Sequence, residues 1–75
     1  MDEITIRELL GGQSDGQMSI VPQGGSIEGF SLKESSPDIN GDWKDYRYEY
    51  SHTEVVTVKV TKWFYKPKEI ADDPN

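Results

Sequence analysis

The sequence predicts a small α+β domain: a short N-terminal helix packed on an antiparallel sheet of three or four strands, with a hairpin at its centre. A small open β-barrel is the alternative. Two observations carry the prediction. Residues 43–65, WKDYRYEYSHTEVVTVKVTKWFY, hold seven of the eight aromatics beside a valine run written in two-residue alternation, the period of a sheet with one apolar face. Residues 4–12, ITIRELLGG, carry helix signals instead.

In the N-terminal segment Thr5 can cap, Glu8 three residues on completes a capping box, and Ile4 can staple onto Leu9. Ile6, Leu9 and Leu10 then share a face, and Gly11 or Gly12 can supply the left-handed residue that ends a two-turn helix. The alternation of Ile4 and Ile6 leaves a strand as the other reading.

Residues 11–26 hold five of the seven glycines together with Pro22, a composition for irregular chain. Within it Met18 to Val21 reads as a short edge strand stopped by Pro22, which cannot donate a ladder hydrogen bond. Glycines cradling a phosphate would lead into a helix beside a cation, and here the neighbours are Asp15 and Glu28. Ser26 to Lys33 alternates as a further strand, interrupted by Gly29. Glu34 to Asp42 is turn-rich, with Asn40-Gly41 suited to a tight turn of positive φ.

The hairpin then has Tyr46, Tyr48 and Tyr50 on one face and Asp45, Arg47 and Glu49 on the other. A turn at Ser51-His52-Thr53 would pair Tyr48 with Val56, Tyr46 with Val58, Arg47 with Thr57 and Asp45 with Lys59. These are favourable cross-strand neighbours, each contributing roughly 0.2–1 kcal/mol. Trp63, Phe64 and Tyr65 in succession place large rings on both faces. The domain is expected to span 1–68, with residues 69–75, EIADDPN, as an acidic tail.

Composition narrows the function more by exclusion than by motif. There is no cysteine and only one histidine, His52, so neither a disulfide staple nor a Cys/His zinc site is expected. His52 beside Ser51 and Glu54 in a turn lacks the convergence from separate elements that a catalytic triad needs. We expect no enzyme, no cofactor and no metal. Asp38, Asn40, Asp42 and Glu49 match four ligand positions of an EF-hand loop, but Trp43 occupies the position that needs glycine. The acidic start MDEITIRELL is unlike a signal peptide, and no run is long enough to cross a membrane. A soluble, unprocessed cytoplasmic protein is the expectation.

Net charge is −6, unevenly spread: residues 1–45 carry nine acids and three bases, 46–68 two acids and five bases. This bipolar pattern points to a small acidic binding protein, a regulator or inhibitor that docks on a larger macromolecule, with a protein as the expected partner. Small size, acidity and the lack of a catalytic set are common among phage and mobile-element accessory proteins, including those that imitate nucleic acid. The candidate contact residues are Glu28, Glu34, Asp38, Asp42, Asp45 and Glu49, with Trp63 and Tyr65 as aromatic anchors. Two alternatives stand beside it. Arg47, Lys59, Lys62, Lys66 and Lys68 interleave with Tyr46, Tyr48, Trp63 and Tyr65 as in a single-stranded nucleic-acid binder, and a structural subunit could complete its sheet with another chain.

Overall fold

The computed structural model describes residues 2–70. It is nearly all sheet: five strands curl into a half-barrel, with no α-helix among the described residues. The strands are β1 (Ile4–Leu9), β2 (Met18–Ile20), β3 (Lys33–Pro37), β4 (Trp43–Thr57) and β5 (Val60–Glu69), arranged in the order β2-β1-β5-β4-β3. All neighbours are antiparallel except β1 and β5, which run parallel. The α+β expectation is therefore overturned, and so is the sheet of three or four strands.

The N-terminal segment is the first correction. Ile4–Leu9 is a strand, not a helix, and it fills the open side of β5 from Ile4↔Val60 to Leu9↔Tyr65. A two-turn helix gains little to offset its nucleation cost, whereas six residues on the edge of β5 satisfy a whole row of backbone groups. Strand alternation also buries Arg7 and Leu9 on one face. The glycine signal has a different use: Gly11 and Gly12 do take positive φ, 88° and 71°, but they turn β1 toward β2.

Met18–Ile20 forms the expected edge strand, paired with β1 and followed by Pro22. The strand expected over 26–33 is absent. That segment is a loop with one 3-10 turn, Ile27–Gly29, and the third strand begins only at Lys33. Glycine and serine there give the backbone no pleated surface to pack, and the loop lies over the sheet to supply its lid.

The hairpin register is the largest correction. β4 runs straight through the segment read as a turn, for fifteen residues, and reverses at Val58-Lys59. Tyr48 meets Pro67 instead of Val56, Tyr46 meets Glu69, Arg47 meets Lys68, Tyr50 meets Tyr65 and His52 meets Phe64, with bulges at Ser51 and Val56. This register brings the rings of both strands together at mid-sheet. His52 stacks on Phe64 with centroids 4.8 Å apart, and Tyr50 meets Tyr65 edge-on at 6.0 Å. It also sets Glu49 opposite Lys66 and Glu54 opposite Lys62, favourable pairs in their own right. Burial of Trp63 to Tyr65 outweighs burial of Val55, Val56 and Val58, which end exposed.

The core is small: Leu9, Tyr48 and Tyr65, with Phe30, Leu32 and Trp63 packed around them. Tyr65 donates to Ile27 O at 2.6 Å and packs on Phe30 at 5.0 Å, fastening the 26–30 loop over the sheet. Arg7 lies buried beneath that loop, within 6.0 Å of the rings of Phe30, Trp63 and Tyr65, and donates to Ser26 O at 2.7 Å. Tyr48 reaches the 11–16 turn, donating to Gly11 O at 2.7 Å. Pro67 costs no ladder bond on the β1 side, because β1 stops opposite Tyr65. β5 runs to Glu69, and the Ile70 amide donates to Asp45 O at 2.9 Å. Residues 71–75 of the segment read as a tail lie outside the described residues. No described helix is long and apolar enough to cross a membrane.

Candidate functional site

The eight residues singled out from the sequence do not form one surface. Tyr65 is 1% exposed and belongs to the core, which removes it as a contact residue. Trp63 is half-buried against that core with Arg7 behind it. Glu34 faces inward, accepting from the Gln13 amide at 2.9 Å and from Ser14 Oγ at 3.3 Å. Glu28 stands in the 3-10 turn beside Tyr50 and Trp63. Glu49 lies on the outer face of β4, 3.8 Å from Lys68 Nζ in an exposed pair.

Asp38, Asp42 and Asp45 do come together, at the end of the molecule where β3 turns into β4. The turn is built on Asp38, whose Oδ1 accepts from the amides of Asn40 at 2.8 Å and Asp42 at 3.0 Å, the Asx pattern that replaces a backbone partner. Gly41 takes φ of 86° to close it, so the Asn-Gly signal acts as expected. Asp38 is thereby occupied as a turn cap. Among the described residues no group of three or more His, Asp or Glu is placed to hold a metal ion.

Two large apolar side chains share this end with the acids. Ile39, at the tip of the turn, is 98% exposed, and Trp43, the first residue of β4, is 69% exposed. Trp43 borders a shallow depression of about 360 Å³ lined also by Asp42, Lys44, Asp45, Glu69 and Ile70. Lys44 bridges its two sides, 3.5 Å from Glu69 and 3.9 Å from Asp38. Glu69 first, and Asp38 after it, hold the Lys44 ammonium above its ordinary range, so the lysine stays charged and partly neutralises the acids around it.

The arrangement is an exposed Trp43 beside Asp42 and Asp45, an exposed Ile39 at the tip of the turn, and the Lys44–Glu69 pair on the other face of the strand. Trp43 and Ile39 were missed in the choice of anchors from the sequence. One signal could have found the tryptophan: it shares the two-residue phase of Asp45, Arg47 and Glu49, the charged face of its strand, and so points to water.

The basic and aromatic residues that resemble a single-strand binder are separated by the pleat. Tyr46, Tyr48, Trp63 and Tyr65 turn to the face covered by the loops, while Arg47, Lys62, Lys66 and Lys68 take the other. Lys62 is held by Glu8 at 2.9 Å. Searches against protein-family models, curated proteins and solved structures find no match to this chain.

Proposed function

We propose that this chain is a non-enzymatic binding protein, an acidic regulator or inhibitor that docks on a basic patch of a larger protein through its β3–β4 end. One observation carries the reading: Trp43 stands exposed beside Asp42 and Asp45, with Ile39 exposed at the tip of the same turn. Tryptophan is the residue most enriched among interface anchors, and a charged rim steers and selects a partner of opposite sign. Asp42, with Asp45 held by the Ser35 hydroxyl and Glu69 paired to Lys44, suits a basic protein surface better than the regular spacing of nucleic-acid phosphates. The same surface lacks the stacked rings over cations that a single-strand binder uses. A cytoplasmic accessory role of the phage or mobile-element kind fits the size and acidity, and it belongs to the same proposal.

Affinity capture tests it. The intact chain and its Trp43→Ala/Ile39→Ser variant are immobilised against lysate of the native host. A protein held by the first, released by moderate salt and not held by the second, is the expected result. A protein held equally by both would sink the assignment of this end, and an oligonucleotide bound at micromolar concentration would replace the protein reading altogether.

A further inference from the structure

The opposite end of β4 carries a second surface, unrelated to the acidic one. β3 covers β4 only from Trp43 to Arg47, with one more bond from the Tyr48 amide to Leu32 O. From Glu49 to Thr57 the outer edge of β4 has no neighbouring strand among the described residues. Along that edge Tyr50 is 42% exposed, Val55 74%, Val56 52% and, at the tip, Val58 90%. An open strand edge flanked by valines is a template for another strand. The β4–β5 arm is also why the molecule is elongated, 50 Å in its longest dimension with a radius of gyration of 14.6 Å, against roughly 11 Å for a compact domain of this length.

We infer that two copies of this chain pair their β4 strands antiparallel about a two-fold axis at Thr53, making one sheet continuous through both.

Three features single out a second copy as the occupant. The first is self-complementarity: with Thr53 on the axis, His52 of each copy meets Glu54 of the other, and Tyr50 lies beside Val56 of the other. Between Glu49 and Thr57 no like charges are opposed. A two-fold contact requires such a match of a patch with itself.

The second is where the charge lies. Between Tyr50 and Lys62 there is one acid, Glu54, against Lys59 and Lys62, in a chain of net charge −6. The arm is thus the part of an acidic protein that its own kind can approach. The antiparallel arrangement sends the two acidic ends in opposite directions, about 65 Å apart at roughly 3.3 Å per residue.

The third is area. The chain exposes 5538 Å², whereas a folded protein of 8.5 kDa is expected to expose about 4,700 Å². The excess reflects the projecting β4–β5 arm, the surface that a second strand would cover. The bulges at Ser51 and Val56 confine the shared ladder to the regular stretch between them, so Tyr50 and the valines must cover most of that area.

The absence of cysteine supplies a direct test. Thr53→Cys places a single thiol on the proposed axis, where cross-strand Cα separations of about 4.5–5.5 Å suit a disulfide. Mild oxidation is expected to link Thr53→Cys into a covalent dimer, while Val58→Cys, far from the axis though more exposed, stays unlinked. Sedimentation equilibrium of the intact chain is expected to show a monomer–dimer equilibrium. Val55→Lys/Val56→Lys and Glu54→Lys should each weaken it tenfold or more, and His52→Glu/Glu54→Lys should restore it by placing opposite charges across the seam. Circular dichroism confirms that each variant is folded. A chain monomeric at every concentration, a dimer indifferent to the valine substitutions, or faster linkage at residue 58 than at residue 53 would overturn the inference. Capture that still depends on Trp43 in a strictly monomeric chain would leave the proposed function standing and remove this dimer alone.

Discussion

Replacing Tyr48 by phenylalanine probes how this small sheet is held closed. The Tyr48 hydroxyl donates to Gly11 O at 2.7 Å, lies 3.1 Å from Glu34 Oε1 and accepts from the Ser14 amide at 3.3 Å. Phenylalanine keeps the ring, which is 1% exposed and packs with Leu9 and Tyr65. Glu34 keeps its bonds from Gln13 and Ser14, so the groups left short are Gly11 O and the Ser14 amide. A net hydrogen bond contributes about 1 kcal/mol and a stranded group costs about 1–3 kcal/mol, which sets the expected loss near 2 kcal/mol.

For a domain of this length the unfolding entropy is roughly 0.16 kcal/mol per kelvin, so the melting temperature should fall by about 12 °C. Thermal unfolding followed by circular dichroism at neutral pH measures it. Alkali gives a second readout. Burial, as the leading cause, raises the phenol above its ordinary value, so the folded chain holds this proton more tightly than the unfolded one. The linked stability is complete below the unfolded value near 10 and is lost as pH rises from there through the folded value. Tyr48→Phe should lose less stability over that range than the parent chain. A fall in melting temperature under about 3 °C, equivalent to roughly 0.5 kcal/mol, together with an unchanged alkaline profile, would refute the claim that this hydroxyl ties the 11–16 turn to the sheet.

Other substitutions separate close packing from backbone conformation and stability from binding. At Gly12, φ is 71° and an added Cβ would run into the Tyr48 hydroxyl and Glu34 Oε1, whereas at Gly24, φ is 86° with open space around it. Gly24→Ala should cost about 1–2 kcal/mol and Gly12→Ala at least twice that, as compared by urea midpoints. Arg7→Lys keeps a charge but gives up the guanidinium between three rings and its bond to Ser26 O; a loss of about 2 kcal/mol is expected, and an unchanged melting curve would show that the fork geometry is dispensable. Trp43→Ala, at a site 69% exposed, should leave stability within about 0.5 kcal/mol while abolishing partner capture; a large destabilisation would make Trp43 a packing residue.

Much of the local structure was legible without coordinates. The Asn40-Gly41 turn and the short strand ahead of Pro22 each follow from a preference contained within a few residues. So does the sorting of Asp45, Arg47 and Glu49 away from the tyrosines. At the candidate site, the proximity of Asp38 and Asp42 was legible for the same reason, since one turn holds both. The inward direction of Glu34 was not, because it depends on Tyr48 and on a turn twenty residues away.

What the tertiary structure decided is every question whose answer lies far along the chain. Ile4–Leu9 has the caps of a helix and becomes a strand because β5, more than fifty residues later, offers an unpaired edge. The hairpin has a plausible turn at Ser51-His52-Thr53 and reverses at Val58-Lys59, because only that register gathers Tyr48, Trp63 and Tyr65 under the 26–30 loop. Alternation along a strand states which residues share a face; it carries no information on which strand will cover that face. Pairing energies per residue are similar across competing registers, so the choice falls to the burial of the largest rings. That burial exists only once distant segments meet.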